Sequence, residues 1–196
     1  MTKKFLWILL LVAGLGIRPA SAQQFAARSN LLYWMTGTIN LGGEYAVSQH
    51  STVGVSFNLN PWTFGSDNKL QHWFVRPEYR YWFTEKYTRF FIGAHLIGGQ
   101  FEVGGFKLPF IGNRLLSSLP DNYYKGSVIG AGINIGYDFY VSPHWNIELS
   151  AGAGVGRLKY HAKTIREGYA TPDKARILPI PTELGVNFVY LFNSKK

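Results

Sequence analysis

From Ala26 to Phe192 the chain is patterned in steps of two, apolar residues alternating with polar or small ones over segments of roughly ten residues. Alternate residues of a β-strand point to opposite faces, so such a pattern predicts strands with one apolar and one polar face. Ile39, Leu41, Gly43, Tyr45 and Val47 share one face of a strand, opposite Asn40, Gly42, Glu44 and Ala46. After the turn Ser48-Gln49-His50-Ser51, Val53, Val55, Phe57 and Leu59 alternate with Gly54, Ser56, Asn58 and Asn60, which predicts a hairpin. Trp73, Val75, Pro77, Tyr79, Tyr81 and Phe83 then oppose His72, Phe74, Arg76, Glu78, Arg80 and Trp82. Phe90, Ile92, Ala94 and Leu96 mark a fifth strand, Ile129 to Phe139 a sixth and Trp145 to Val155 a seventh. In the last, Thr182, Leu184, Val186, Phe188, Tyr190 and Phe192 oppose Glu183, Gly185 and Asn187, while Ala26 to Met35 supplies a first strand of weaker alternation.

The total is eight, an even number of antiparallel strands, each about the length that a tilted strand needs to cross a bilayer. An apolar face on nearly every strand leaves too few layers to cover them all in a soluble sandwich. A barrel with its apolar faces in lipid and its charges inside satisfies both faces of every strand. The expected fold is therefore all-β, an eight-stranded antiparallel up-and-down transmembrane β-barrel with a polar, side-chain-filled lumen. Its short turns fall at 48–51, 84–88 and 142–144 and its longer connections near 61–70, 102–124 and 161–175, with 36–38 a short exception. That asymmetry is expected of periplasmic turns and external loops. Aromatic residues gather toward two rims, Tyr33, Trp34, Trp62 and Trp73 at one and Tyr81, Phe83, Phe90, Trp145 and Tyr190 at the other, as interfacial girdles do.

The beginning of the chain has a different pattern. Lys3 and Lys4 precede an apolar run from Phe5 to Ile17, and Ala20-Ser21-Ala22 is a small-x-small cleavage site. Residues 1–22 are expected to be a signal peptide and residues 23–196 the barrel, placed in a cell outer membrane. The formal charge of +9 falls to +6, 17 basic against 11 acidic residues, once Lys3, Lys4 and Arg18 are removed. Basic residues are scattered and no recognition motif accompanies them, so outer-membrane lipid rather than nucleic acid is the expected partner. The absence of cysteine excludes disulfides, thiolate metal sites and a cysteine nucleophile.

The width of such a barrel lets side chains fill it. The inward polar set, Glu44, Arg76, Glu78, Arg80, Asp138, Glu148 and Glu183, is expected to form a buried salt-bridged plug, with glycines leaving room for the arginines. Asn60-Pro61-Trp62-Thr63-Phe64 opens an external loop, where Asn60, Pro61, Trp62 and Phe64 are candidate contacts for a partner, against the plainer role of an interfacial turn. His50, His72, His95, His144 and His161 are dispersed, lack metal-pair spacing and sit beside no recognisable serine nucleophile. No catalytic, cofactor or metal residues are therefore expected. Two other readings stay open: a lipid or peptide hydrolase at the rim, using His72 or His161, and a narrow pore.

Asn30-Leu31-Leu32-Tyr33-Trp34, Asn40-Leu41-Gly42, Asn60-Pro61-Trp62-Thr63-Phe64, His72-Trp73, Arg76-Pro77-Glu78-x-Arg80-Tyr81-Trp82 and Gly98-Gly99-Gln100 together resemble the domain-of-unknown-function family 3575. The resemblance spans almost the whole chain after residue 22. It implies a small outer-membrane barrel of Bacteroidota and carries over no catalytic residues. Because members often lie near genes for fimbria-like surface structures, it also implies an accessory role beside surface or fimbrial proteins. Phe188-x-Tyr190-x-Phe192 resembles the C-terminal signal read by outer-membrane assembly machinery, although Asn193 to Lys196 extend past it.

Overall fold

The computed structural model describes residues 24–64, 68–105, 121–165 and 170–192. The expected signal peptide, most of the longest loop and the residues after Phe192 lie outside them. Among the described residues are nine strands and one helical turn: β1 (Phe25–Asn30), α1 (Leu31–Met35), β2 (Ile39–Ala46), β3 (Ser51–Asn60), β4 (Thr63–Phe64), β5 (Asn68–Trp82), β6 (Arg89–Gly104), β7 (Asn122–Ser142), β8 (Trp145–Thr164) and β9 (Lys174–Leu191). Each strand pairs antiparallel with its neighbours, and two further pairings close the sheet. Ser29 of β1 lies opposite Phe188 of β9, and Asn60 of β3 lies opposite His72 of β5. The two-residue β4 pairs only with the start of β5, so it is a flap outside the ring. The closed ring thus has eight strands, β1, β2, β3, β5, β6, β7, β8 and β9. The ring closes at the turn end, whereas β9 from Lys174 to Val186 has no strand paired on its β1 side among the described residues.

The short connections and the described ends of the chain lie together at one end of the ring, since Phe25 opposes Tyr45 and Ala26 opposes Leu191. The other end, the rim, carries α1, the β4 flap and the longer connections. The expected first strand is corrected here. It ends at Asn30, whose side chain accepts the Leu32 N–H at 2.9 Å and caps the single turn of α1. An asparagine side chain that satisfies one of a helix's orphan donors starts a turn where Leu31 to Trp34 offer no alternation to continue the strand. A second correction concerns Thr182. It is buried beside Glu183 instead of sharing the outer face with Leu184, because a bulge opposite Gly152 and Ala153 admits an extra residue. Pro179 and Pro181 precede the bulge, where a residue without an N–H can be accommodated.

The distribution of polarity is inverted relative to a soluble core. Leu41, Leu96, Ile133, Ile135 and Leu184 are each at least 60% exposed on the outer face. Arg28, Glu44, Arg76, Arg80, Asn134, Asp138, Glu148, Glu183 and Asn187 are buried inside. At the turn end the interior changes character. Trp82, Phe91, Tyr87, Val189, Leu191 and Ala26 pack into an apolar stopper. Tyr87 enters it from the β5–β6 turn at φ 60°, and its hydroxyl donates to the Gln24 carbonyl at 3.2 Å. Outside the same end the aromatic rings touch in pairs, Phe90 with Tyr137 at 4.6 Å and Trp145 with Tyr190 at 5.0 Å between centroids.

Candidate functional site: the charged interior and the rim

Three arginines and four glutamates meet above the stopper. Alternation points all seven inward, and the sheet register brings β1, β2, β5, β8 and β9 to one level. Arg80 is the hub. Its Nε donates to Glu78 Oε1 at 2.6 Å and its Nη1 to Glu148 Oε2 at 2.6 Å, with Glu44 at 3.7 Å and Glu183 at 4.0 Å. Its guanidinium lies 4.2 Å from the centroid of the Phe91 ring. Arg76 donates to Glu183 Oε2 at 2.6 Å and pairs with Glu78 at 3.4 Å. Arg28 pairs with Glu44 and approaches Glu148 at 3.8 Å.

Neutral donors occupy further oxygens of Glu78, Glu148 and Glu183, whereas buried Glu44 Oε1 has no hydrogen-bond partner among the described residues. Asn134 Nδ2 donates to Glu78 at 2.6 Å and to Glu183 at 2.7 Å, Ser150 Oγ to Glu183 at 2.8 Å, and Asn187 Nδ2 to Glu148 at 2.8 Å. Glycine makes the approach feasible at two points. A Cβ on Gly42 would lie 2.7 Å from Arg28 Cγ, and one on Gly93 would lie 2.9 Å from Glu78 Oε1 and strike Asn134 as well. The spaces left beside the cluster have volumes of about 10 and 30 Å³, enough for single waters. Charges removed from bulk water persist only when paired and hydrogen-bonded, as the carboxylates of Glu78, Glu148 and Glu183 are here.

Six of the seven residues expected in this network therefore lie in one ion-paired cluster: Glu44, Arg76, Glu78, Arg80, Glu148 and Glu183. Asp138 is buried on the same inner face but makes no ion pair with any described residue, so it stands outside the cluster. Arg28 belongs to the cluster although alternation did not single it out. Its parity with Asn30 was the available signal, obscured because Ala26 to Met35 mixes a strand with a helical turn.

The candidate external contacts separate. Asn60 is only 1% exposed, and its side chain donates to the Thr36 carbonyl at 3.0 Å while accepting the Trp62 N–H at 3.2 Å. It is corrected to an internal staple between β3 and the turn after α1. Pro61, Trp62 and Phe64 are exposed, with the Trp62 indole N–H donating to the Gly37 carbonyl at 2.9 Å. Gly37 has φ 72°, and a Cβ there would lie 3.2 Å from Phe64, so the turn and the two rings fit one another. Tyr33, expected in the rim girdle, instead borders a small interior space together with Arg76 and Glu183.

The rim holds a cavity of about 610 Å³. The chain stretches that line it are centred on inward-pointing Asn60, His72, Phe101, Gly126 and Tyr160. The His72 ring stacks on Phe74 at 5.1 Å, and Tyr160 contacts Tyr124 at 5.9 Å between centroids. On the outer side of this rim, Lys69 donates to Glu102 at 2.6 Å and Lys125 lies 3.3 Å from the same carboxylate. The Lys69 hydrogen bond, with Lys125 adding to it, holds Glu102 below the usual carboxylate range.

His161 points outward to Asp173 at 3.3 Å, whereas His72 points inward, so the two rim histidines fall on opposite faces. His95 is buried in the interior, and His50 and His144 brace the short turns against the Thr84 and Leu191 carbonyls. No described histidine side chain is hydrogen-bonded to a serine, and among the described residues no group of three His, Cys, Asp or Glu is placed to hold a metal ion.

Ring and interior together define a small, closed, antiparallel β protein with a charged interior, an apolar stopper at one end and apolar residues on its outer face. The chain belongs to the family described as Protein of unknown function (DUF3575), whose model matches residues 5–192. Comparison with curated proteins and with solved structures finds no match for either.

Proposed function

We propose that the chain is a transmembrane β-barrel of a cell outer membrane, exported by a cleaved signal peptide, that acts without catalysis by presenting its external rim to envelope or surface partners. The observation that carries this reading is the inverted polarity of the ring: an exposed apolar outer face around a charged, ion-paired interior. Along β7 the outward residues from Ile129 to Phe139 are all apolar or aromatic. At ~3.3 Å per residue and a tilt near 45°, that run covers roughly 23 Å of height, close to the ~25 Å apolar band of such barrels. The aromatic pairs at the turn end then lie at one membrane interface, and the described residues nearest the two ends, Gln24 and Phe192, lie on the periplasmic side.

The interior supports a scaffold more than a conduit. Arg80, Trp82 and Phe91 are fully enclosed, and the spaces beside the charges admit single waters, so an ion path meets a closed plug. The rim is left as the part that acts. It carries the 610 Å³ cup, the exposed Trp62 and Phe64, and the long connection after Gly105. The family's implied place beside fimbria-like structures makes a fimbrial or other surface protein the favoured partner.

Deleting residues 106–120 tests the reading. Assembly into the outer membrane is expected to be unchanged, while cross-linking of surface partners to the barrel in intact cells falls at least about tenfold, the loss of a contact of ~1.4 kcal/mol or more. Undiminished cross-linking in a correctly assembled deletion variant contradicts a rim-based function.

A further inference from the structure

We infer that the outer face of the β7–β8 hairpin holds the phosphate of a membrane lipid headgroup between Arg157 and Lys159. The inference rests on the barrel reading, and it adds to that reading a defined lipid site. The outward residues of β8 run Ile147, Leu149, Ala151, Ala153 and Val155, then change abruptly to Arg157, Lys159, His161 and Lys163. The hairpin partner changes at the same level, from Ile133, Ala131 and Ile129 to Ser127 and Lys125. A boundary between an apolar wall and a row of cations is where lipid headgroups meet a barrel.

The sheet register shows which of these cations await a partner. In the higher row, Lys125 pairs with Glu102 and the His161 ring lies 3.3 Å from Asp173, while Lys163, farthest from the apolar wall, has no acidic partner within 4.0 Å among the described residues. Arg157 and Lys159, one step nearer the apolar wall, have no acidic partner within 4.0 Å among the described residues. Both are exposed, and two strand positions set them about 6.6 Å apart. Like charges at that spacing repel unless an anion lies between them.

The neighbours fit an amphiphile rather than a free ion. Lys159 lies between Ser127 and Ala175, which leave open space and one hydroxyl beside it. Arg157 lies between Ile129 and Ile177, 68% and 71% exposed, so its planar fork is offered from within an apolar surface. A guanidinium donates to two phosphate oxygens at once and a lysine adds a point charge. The acyl chains then descend over Ile129, Ala131, Val155 and Ala153.

The test uses the full mature chain inserted in phosphatidylcholine vesicles and measures retention of diphosphoryl lipid A. Arg157→Ser/Lys159→Ser removes the outer pair. Lys174→Ser/Arg176→Ser removes equal charge from the inner side of the same rim, because these residues oppose inward-facing Tyr160 and Leu158. The outer variant is expected to retain lipid A on the order of twentyfold more weakly, the loss of two cations near an anionic surface. The inner variant is expected to change less than about twofold, and phosphate-free lipid A to bind wild type and outer variant alike. Inorganic phosphate is expected not to displace lipid A. Unchanged retention by an inserted outer variant overturns the site alone and leaves the barrel reading intact. Displacement by inorganic phosphate overturns the commitment to a lipid. Failure of the wild type to insert removes both the site and the barrel reading.

Discussion

Arg80→Ala is expected to destabilise the folded protein by about 3–5 kcal/mol, the cost of breaking a buried ion pair from one side. Arg80 touches or approaches Glu44, Glu78, Glu148 and Glu183, and is 1% exposed. Its removal leaves four carboxylates facing two remaining guanidiniums, those of Arg28 and Arg76, in an interior without bulk water. The damage comes from those orphaned acids more than from any net attraction lost, since a buried salt bridge roughly offsets its own desolvation. Adding Glu148→Gln to Arg80→Ala is therefore expected to recover part of the loss, which simple additivity would not allow. Arg80→Lys is expected to rescue poorly, because one ammonium cannot reproduce a fork that reaches Glu78 and Glu148 together. Urea unfolding of the refolded variants in detergent micelles measures all three. A loss below about 1 kcal/mol for Arg80→Ala would mean that the interior charges are solvated and the plug is loose.

Trp82→Ala is the second large effect, again about 3–5 kcal/mol, from a cavity opened in the turn-end stopper. Trp82 is wholly enclosed, its indole N–H donates to Thr52 Oγ1 at 3.0 Å, and its rings lie 4.8 Å from Phe91 and 5.8 Å from Tyr87. Trp82→Phe keeps most of the volume and loses the hydrogen bond, so a cost of about 1–2 kcal/mol is expected in the same unfolding measurement. Phe91 joins this site to the previous one, because its ring lies between Trp82 and the Arg80 guanidinium. Substitutions at Arg80 and Trp82 are therefore expected to couple, whereas Trp82 and Trp62, at opposite ends of the ring, are expected to be additive.

What alternation can reveal is the parity of a residue, and parity carried much of the architecture. The eight ring strands follow the alternating segments, and Arg76, Glu78, Arg80 and Trp82 fall on the inner face where their two-residue spacing placed them. Asn60 shares parity with Asn58 and Ser56, so its burial was readable even though its place in an exposed loop motif suggested a contact. Other features depend on chemistry that parity does not encode. A side-chain cap at Asn30 ended β1 early, and a bulge beside Pro179 and Pro181 turned Thr182 inward. Arg28 meets Glu148, and Arg76 meets Glu183, across strands far apart in sequence, a relation fixed by the stagger of the closed ring. The stopper residue Tyr87 comes from a turn and carries no periodic signal.

The central claim, that the apolar outer face spans a membrane, is tested most directly by gel mobility of the protein after extraction from urea-washed outer membranes, compared with and without heating. Urea is expected to leave the chain in the membrane fraction and detergent to release it, and unheated protein is expected to migrate as a compact band which heating shifts. Release by urea without detergent, with one mobility in both lanes, would contradict it and return the ring to the aqueous phase.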